Sequence, residues 1–215
     1  VTASPLTRSI VRRFVAGENV DDAVRAAGDL ARQGLRATLD HLGEDTRNAA
    51  AATAAVDVYR GVLSRLSAED LTSRTEVSVK LSALGQALDE ELALDNARAV
   101  CEAAQTAGTT VTIDMEDHTT TGSTLRIVGQ LRADFPWAGA VIQASLHRSE
   151  ADCRALATPG SRVRLCKGAY QEPASLAWQH REEIRDAFRR CLRILMEGGA
   201  YTMAATHDPV LVAAT

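Results

Sequence analysis

Lysine is rare in this chain: of 24 basic residues only two are lysines, Lys80 and Lys167. Lys80 falls in the run EVSVKLSAL, where apolar and polar residues alternate as they do in a β-strand. A lysine is rarely buried without a partner. One interpretation is therefore a structural ion pair with a carboxylate on a neighbouring strand. The other, which we favour, is an anion-binding lysine or a lysine that forms a Schiff base.

The segment DMEDH combines three carboxylates with a histidine, a composition that can bind a divalent cation. In a strand, however, Asp114 and Glu116 face one way while Met115 and Asp117 face the other, so few of them can share one ion. We interpret Asp114 as functional because it still lies within the predicted strand. Glu116, Asp117 and His118 are interpreted as a solvated loop or as the cap of the next helix.

Two later runs carry polar residues in apolar surroundings. Gln143 interrupts AVIQASL, and its amide must bond either to a neighbouring strand or to a ligand. Arg164 and Lys167, in RVRLCKGAY, are three residues apart and would face opposite sides of a regular strand. They can serve one site only if the strand ends or bulges near Gly168. The alternative is a salt-bridged arginine and a surface lysine.

The run ATHDP places Thr206 and His207 directly after the last predicted strand. Asp208 and Pro209, which follow, form a good helix start. A single histidine in that position is more often a capping or packing residue than a catalytic one. Of the five histidines in the chain, four follow predicted strands, which favours a site at the ends of the strands.

Regular elements alternate along the whole chain. Two helical segments, PLTRSIVRRFVAG and VDDAVRAAGDLARQG, come first, and the second ends at Gly34. Strand-like runs follow, separated by helical patterns: LRATLDHL, EVSVKLSAL, TVTIDMED, AGAVIQASL, RVRLCKGAY and YTMAATHDP. Strands that alternate with helices predict a parallel sheet in an α/β fold.

Two parallel architectures compete, a doubly wound open sheet and a (β/α)8 TIM-type barrel. The first strand–helix turn, DHLGEDT, has no GxGxxG motif, which weakens the doubly wound interpretation. The strands also become polar on one face toward their carboxyl ends, where barrels place their chemistry. We predict a barrel, with amino-terminal helices over residues 1–33 and the barrel over 34–215. Since only about six β/α units are present, we expect the printed chain to be part of a longer one.

Composition restricts the partners. The formal net charge is −4, and no basic cluster predicts nucleic acid as a partner. No apolar run approaches the roughly 20 residues that cross a bilayer. The amino terminus has no signal-peptide core, so we expect a cytoplasmic protein, with peripheral contact on the inner face of the membrane as an alternative. The four cysteines lie far apart and are predicted to be reduced thiols.

Five ordered blocks, SVKLSAL, DMED, VIQA, RLCKGAY and ATHDP, resemble the proline dehydrogenase family. The resemblance runs from about Leu35 to the end of the chain. It implies a distorted (β/α)8 barrel that binds FAD as its cofactor. It also implies oxidation of L-proline to Δ1-pyrroline-5-carboxylate in the catabolism of proline to glutamate, with quinone as the electron acceptor.

The resemblance implies roles for individual residues. Lys80 matches the lysine that holds the proline carboxylate, and Asp114 and Arg164 match catalytic residues. The cofactor-binding positions of the family correspond to Met115, Gln143, Arg164, Lys167, Gly168, Ala169, Thr206 and His207. The resemblance implies no metal.

Three departures from the family pattern are visible. The helix that carries a tyrosine and an arginine pair for the substrate carboxylate is not in the printed sequence. Ser145 stands where QAY is common, and Cys166 replaces an aliphatic residue. Two rival functions remain open: a lyase or aldolase barrel that uses a Schiff-base lysine or a metal, and a non-catalytic flavin-binding fragment.

Overall fold

A computed structural model describes residues 15–17, 19–43, 46–213 and 215. The strands and helices alternate in the order α1 (Val20–Arg32), β1 (Ala37–Asp40), α2 (Ala49–Ala68), β2 (Thr75–Val79), α3 (Glu90–Ala107), β3 (Val111–Ile113), α4 (Thr121–Asp134), β4 (Gly139–Gln143), α5 (Ser149–Leu156), β5 (Arg162–Cys166), α6 (Arg181–Glu197), β6 (Tyr201–Ala205) and α7 (Pro209–Val212). The first predicted helix, PLTRSIVRRFVAG, lies almost entirely outside the described residues.

Short polar side chains set where the helices begin. The Asn19 side chain accepts a hydrogen bond from the Asp22 amide at the start of α1, and Asn48 accepts one from Ala51 at the start of α2, each at 2.9 Å. Such caps satisfy amides that have no partner within the helix. At the other end of α3, Gly108 takes a left-handed conformation with φ of 80°, which glycine adopts without strain. These caps fix the starts of α1 and α2 and the end of α3, whereas α4 and α5 begin without a side-chain cap.

The six strands form one parallel sheet in which every strand pairs with the next strand along the chain. In a doubly wound sheet the order of the strands reverses at one point, with later strands added on the other side of the first. The sequential order seen here therefore excludes that alternative. The sheet is strongly curled. Arg36, directly before β1, donates to the hydroxyl of Tyr201 on β6 at 3.3 Å, although these strands are the two edges of the sheet.

The outer and inner faces of the curled sheet differ in chemistry. Outward-facing apolar residues of the strands pack against the helices in a fully buried core that includes Val77, Val79, Val111 and Ile113. The inner face carries charged and hydroxyl side chains, joined across the sheet by hydrogen bonds such as the one from Thr112 to Glu76 at 3.2 Å. The position of the polar face, predicted from alternation, is confirmed.

The strands end earlier than the sequence predicted. β2 ends at Val79 and β3 at Ile113, so Lys80 and Asp114 each follow a strand by one residue instead of lying within it. The prediction that Asp114 lies inside the strand is therefore wrong. Its amide still donates to the carbonyl of Val79 at 2.9 Å, so the backbone continues in the direction of the sheet. The short strands leave both side chains at the opening of the curled sheet.

Candidate active site

A lysine and an aspartate meet at the carboxyl ends of β1 and β2. Lys80 Nζ lies 2.6 Å from Asp40 Oδ2, and the two side chains are 17% and 26% exposed. The hydroxyl of Tyr59, on α2, donates to Asp40 Oδ1 at 3.2 Å and accepts from the His41 amide at 3.3 Å. Burial, with Asp40 nearby, raises the pKa of Tyr59 far above its usual value. Tyr59 is thus a neutral donor that orients Asp40.

A second ion pair lies across the curled sheet. Arg164 Nη2, from β5, lies 3.0 Å from Asp114 Oδ1, which follows β3, so the pair passes over the intervening strand β4. Each side chain is about a fifth exposed. Burial raises the pKa of Asp114 above its ordinary value, and the Arg164 guanidinium acts in the opposite direction. The arginine therefore opposes the rise in the pKa of Asp114 that burial causes.

Glu116 and Gln143 form a buried polar cluster behind this pair. Glu116 is buried and accepts hydrogen bonds from the amide and the hydroxyl of Ser82, at 3.0 and 2.5 Å. The interpretation of Glu116 as solvated or capping is wrong, because the chain after β3 turns inward toward Ser82. The Gln143 amide nitrogen donates to the carbonyl of Glu116, in the loop after β3, at 2.7 Å, so the amide bonds within the protein to the segment that follows the neighbouring strand. Met115 is buried beside them.

The rest of DMEDH divides between two roles. Asp117 accepts from the amide and hydroxyl of Thr119 in the loop before α4. The residue that caps α4 is Thr120, so of the two interpretations of Asp117 the loop is the one that the structure shows. These hydrogen bonds lower the pKa of Asp117. His118 is only partly exposed and bonds to the carboxylate of Glu172, through its amide at 2.9 Å and through its ring Nδ1. His118 therefore ties the loop after β3 to the loop after β5.

The chain changes direction where β5 ends at Cys166. Gly168 has a φ of +106°, and a Cβ there would lie 2.3 Å from Ser145 Oγ, so both the backbone angle and the space require glycine. The Lys167 carbonyl accepts from the Ser145 amide at 2.9 Å. The strand thus ends before Gly168, as a shared site would require. Arg164 is salt-bridged to Asp114 and Lys167 is exposed, as the alternative interpretation expected. Lys167 and Ala169 are exposed at the opening of the sheet.

The end of β6 is organised by a helix cap. The Asp208 side chain accepts from the Val210 amide at 3.0 Å, so the predicted helix start at Asp208 and Pro209 is confirmed. Arg185 of α6 holds the same carboxylate with two hydrogen bonds, at 2.8 and 2.9 Å, and keeps the pKa of Asp208 far below its usual range. Thr206 accepts from the Asp208 amide at 3.0 Å, and His207 is exposed.

Residues 15–17, 19–43, 46–213 and 215 contain no helix that is long and apolar enough to cross a membrane. The same residues contain no group of three or more histidine, cysteine, aspartate or glutamate side chains arranged to hold a metal ion.

Sequence reasoning missed Asp40, Tyr59 and Glu172. Asp40 ends the first strand-like run in the same way that Asp114 follows the third, so strand-end position was a usable signal for it. Tyr59 and Glu172 lie in a helix and in a loop, and no periodicity connects them with the strand ends. Their contacts depend on which elements become neighbours in space.

Charged side chains at the carboxyl ends of parallel strands in a curled sheet define an α/β barrel enzyme site. The family model for proline dehydrogenase matches residues 23–214. "Proline dehydrogenase 1" of Bacillus subtilis (strain 168) is 37% identical over 209 residues, which cover 97% of this chain and 68% of the relative. "Proline dehydrogenase" of Deinococcus radiodurans is 35% identical over 211 residues, 95% of this chain and 67% of the relative. The chain belongs to the proline dehydrogenase family.

Solved structures agree on the fold. Proline utilization A (PutA) from Bdellovibrio bacteriovorus, inactivated by N-propargylglycine, superposes with a TM-score of 0.86 at 22% identity, over 96% of this chain. A mutant PutA from Bradyrhizobium japonicum gives 0.76 at 23% identity, over 98% of this chain. The chain spans about a quarter of the length of these PutA chains, 26% in each case. The barrel-type fold and the enzyme family predicted from the sequence are confirmed.

Proposed function

We propose that this chain carries the flavin- and substrate-binding face of an enzyme that oxidises L-proline to Δ1-pyrroline-5-carboxylate, in the catabolism of proline to glutamate. FAD is the proposed cofactor and quinone the proposed electron acceptor. The observation that carries the proposal is the pair of charge contacts at the carboxyl ends of the strands, Lys80 with Asp40 and Arg164 with Asp114. It is supported by membership of the proline dehydrogenase family.

Lys80 is the proposed ligand of the proline carboxylate. An ammonium has three N–H donors on a compact head, so it can hold Asp40 and a substrate carboxylate at the same time. The contact with Asp40 fixes the direction of the ammonium before substrate arrives. This contact also favours the charged form of Lys80, whereas a Schiff-base lysine must be a neutral amine to attack. The aldolase alternative is therefore disfavoured.

Asp114 and Arg164 are the proposed catalytic pair. Loss of hydride from the carbon next to the proline nitrogen leaves a developing iminium cation. A carboxylate near that nitrogen stabilises the positive charge as it forms. Arg164 favours the ionised form of Asp114 against the effect of burial. The chain thus supplies orientation and a fixed charge, while FAD, when bound, supplies the hydride acceptor.

The residues at the strand ends fit a flavin nucleotide. Lys167 offers an exposed ammonium, which suits phosphate, and the chain leaves the ladder of β5 next to it at Gly168. Exposed His207 follows the neighbouring strand β6. The proposed cofactor-binding residues are Met115, Gln143, Arg164, Lys167, Gly168, Ala169, Thr206 and His207.

The two lysines allow a matched test. We expect purified protein to show flavin absorption that L-proline bleaches in the absence of oxygen. Lys80→Ala should weaken proline binding roughly 10- to 150-fold, the value of about 1.5–3 kcal/mol for a charge-assisted hydrogen bond, and retain the flavin. Lys167→Ala should instead weaken flavin retention.

Three outcomes would contradict the proposal. They are a protein that neither retains nor takes up FAD, a bound flavin that proline does not reduce, and equal loss of flavin from both lysine variants. The last outcome would make Lys80 a structural residue.

A further inference from the structure

A second charged pair lies beneath the active-site pair. On β5, Arg162 and Arg164 are two residues apart and therefore face the same side of the sheet. Arg164 contacts Asp114, and Arg162 Nη2 contacts Glu76 Oε2 of β2 at 2.8 Å. At roughly 3.3 Å per residue, the two arginines are separated by about 7 Å. We call Asp114 and Arg164 the upper layer, and Glu76 and Arg162 the lower layer.

The Glu76 carboxylate is fully engaged by the inner face of the sheet. Oε1 accepts from the hydroxyls of Thr38 on β1 and Thr112 on β3, at 3.1 and 3.2 Å. Oε2 accepts from Thr110 and from Arg162, both at 2.8 Å. The carboxylate thus bonds to residues on both neighbouring strands and across the sheet to β5. Its geometry is over-determined, and the position of Arg162 follows from it.

Arg162 depends on Glu76 for charge compensation. Glu76 is its only ion-pair partner among residues 15–17, 19–43, 46–213 and 215, and the two side chains are 19% and 11% exposed. The guanidinium carbon lies 4.9 Å from the centre of the Tyr201 ring, and Nε is buried with no hydrogen-bond partner in the described structure. Without Glu76, a buried cation would lie one layer below Arg164.

We propose that Glu76 and Arg162 are positioning residues for the active site: as a neutral pair one layer below, they hold Arg164 on Asp114 and keep the local field constant. The effect on catalysis rests on the proposed function, but the effect on Asp114 does not. Each member of the lower layer cancels the charge of the other. Removing Glu76 alone leaves an uncompensated positive charge beneath the upper layer, and removing Arg162 alone leaves an uncompensated negative charge.

The expected size follows from Coulomb's law. A unit charge on Arg162, two residues and so about 7 Å along β5 from the partner of Asp114, moves the pKa of Asp114 by roughly 1 to 2 at an effective dielectric constant of about 20. Glu76 bonds to Thr110 and Thr112, farther down the sheet, so its effect has the opposite sign and is smaller. Other groups that act on this carboxyl group come from the neighbouring elements and stay unchanged in the test. They are Asp40, Tyr59, Ser78, Lys80, Arg164 and Cys166.

The test is an NMR titration of the Asp114 carboxyl group in the purified chain labelled with 13C-aspartate, the signal being assigned with Asp114→Asn. We expect Glu76→Gln to lower the pKa of Asp114, because Arg162 is then an uncompensated cation. Arg162→Gln should raise it, because Glu76 is then an uncompensated anion. The double variant should return to within about 0.5 of the original value, since the lower layer is neutral again.

A structural role predicts a different pattern. Loss of packing would move the pKa of Asp114 in the same direction in both single variants. The double variant would then not restore the original pKa. Either result would overturn the proposal. The surface pair of Glu90 and Arg126, at 2.7 Å but 48% and 64% exposed, is the matched control. Neutralising either of its members should leave Asp114 unchanged.

Two further variants keep the proposal testable if the neutral single variants do not fold. Glu76→Asp and Arg162→Lys disturb the packing but keep the charge. They should move the pKa of Asp114 by less than about 0.5, whereas a shift of about 1 or more in them, or in the neutral double variant, would overturn the proposal.

The titration needs neither FAD nor proline. Opposite shifts in a chain that does not bind FAD would therefore sustain the positioning pair and contradict the proposed function. In the loaded enzyme, the acid limb of kcat/KM should move in the same two directions. Shifts of Asp114 without any change in that limb would contradict the catalytic part of the proposal.

Discussion

Two regions of the candidate site are built differently. The substrate side consists of Asp40, Lys80, Asp114 and Arg164, the last of which is also a proposed cofactor-binding residue. The cofactor side consists of Lys167, Gly168, Ala169, Thr206 and His207, beside the buried Met115 and Gln143. On the substrate side, two ion pairs of 2.6 and 3.0 Å join side chains that come from four different strands or follow them directly: β1, β2, β3 and β5. On the cofactor side, Lys167, Ala169 and His207 are exposed. The substrate side is organised by the chain itself, and the cofactor side presents groups that a ligand would cover.

The packing around the strands explains this difference. β2, β3 and β4 are buried along their whole length, so the residues that follow them emerge from a rigid base. β5, which leads into the cofactor side, alternates between half-buried and buried residues, and Lys167 and Ala169 directly after it are exposed. A rigid base preorganises charges at little entropic cost on binding. The comparison predicts that substrate-side variants mainly change the free energy of unfolding and the affinity for proline. Cofactor-side variants should mainly change how much FAD the protein binds.

The largest effect is expected on the cofactor side, from Gly168→Ala. The backbone at position 168 has a φ of +106°, which a residue with a Cβ rarely adopts, and the added Cβ would overlap Ser145 Oγ. Strain and overlap each cost about 1–3 kcal/mol, together roughly 30-fold or more in FAD affinity. Equilibrium dialysis with FAD measures this loss. Ser145→Ala in the same chain should recover part of it, because it removes the overlap but not the strain. Unchanged FAD affinity in Gly168→Ala would place the cofactor elsewhere.

The next largest effect is expected from Arg164→Met, which tests the substrate side. Breaking a buried pair costs about 3 kcal/mol in the free energy of unfolding. The pKa of Asp114, already raised by burial, rises further without the arginine. A carboxyl group with a raised pKa stabilises the fold most below its unfolded value of about 3.9, and this stability is lost as pH rises through the folded value. Urea unfolding should therefore show a larger loss at pH 7 than at pH 4. Equal losses would contradict the assigned direction.

Glu172→Gln is expected to have an intermediate effect, because it weakens the connection between the loops after β3 and β5. Loss of a charge-assisted hydrogen bond costs about 1.5–3 kcal/mol. Hydrogen exchange should increase for the loop after β5 and FAD affinity should fall, while the ion pair of Lys80 stays intact. Gln179→Ala, which removes a neighbouring amide bonded to the Glu172 carbonyl, is the control and should have little effect. A rigid loop in Glu172→Gln would show that the contact with His118 is dispensable.

The smallest effect is expected from Tyr59→Phe. It removes the hydroxyl that orients Asp40, a hydrogen bond worth about 1 kcal/mol. Proline affinity should fall only a few-fold, because Lys80 keeps its partner, and FAD content should not change. Isothermal titration with proline measures the effect. A loss as large as that of Lys80→Ala would mean that Tyr59 contacts the substrate directly.

Alternation along the strands predicted the parallel sheet, its polar inner face and the strand ends that carry Lys80, Asp114 and Arg164. It placed the strand ends too late, because side chains keep alternating for one or two residues after the ladder of hydrogen bonds stops. It did not predict Glu116 against Ser82, His118 against Glu172 or Arg162 against Glu76. These partners are 34, 54 and 86 residues apart. They meet because the sheet curls, and curvature is not encoded in the period of any one strand.

The order of the strands has a consequence for biosynthesis. Because each strand pairs with the one before it, every β/α unit can dock onto its predecessor as the chain leaves the ribosome. The contacts across the sheet cannot form in that way. Glu76 must wait 86 residues for Arg162, and Arg36 must wait 165 residues for Tyr201. Glu76 is therefore made long before its counter-ion. Thr38 precedes it in the chain, and Thr110 and Thr112 follow 34 and 36 residues later, so all three threonine partners are present before Arg162 is synthesised.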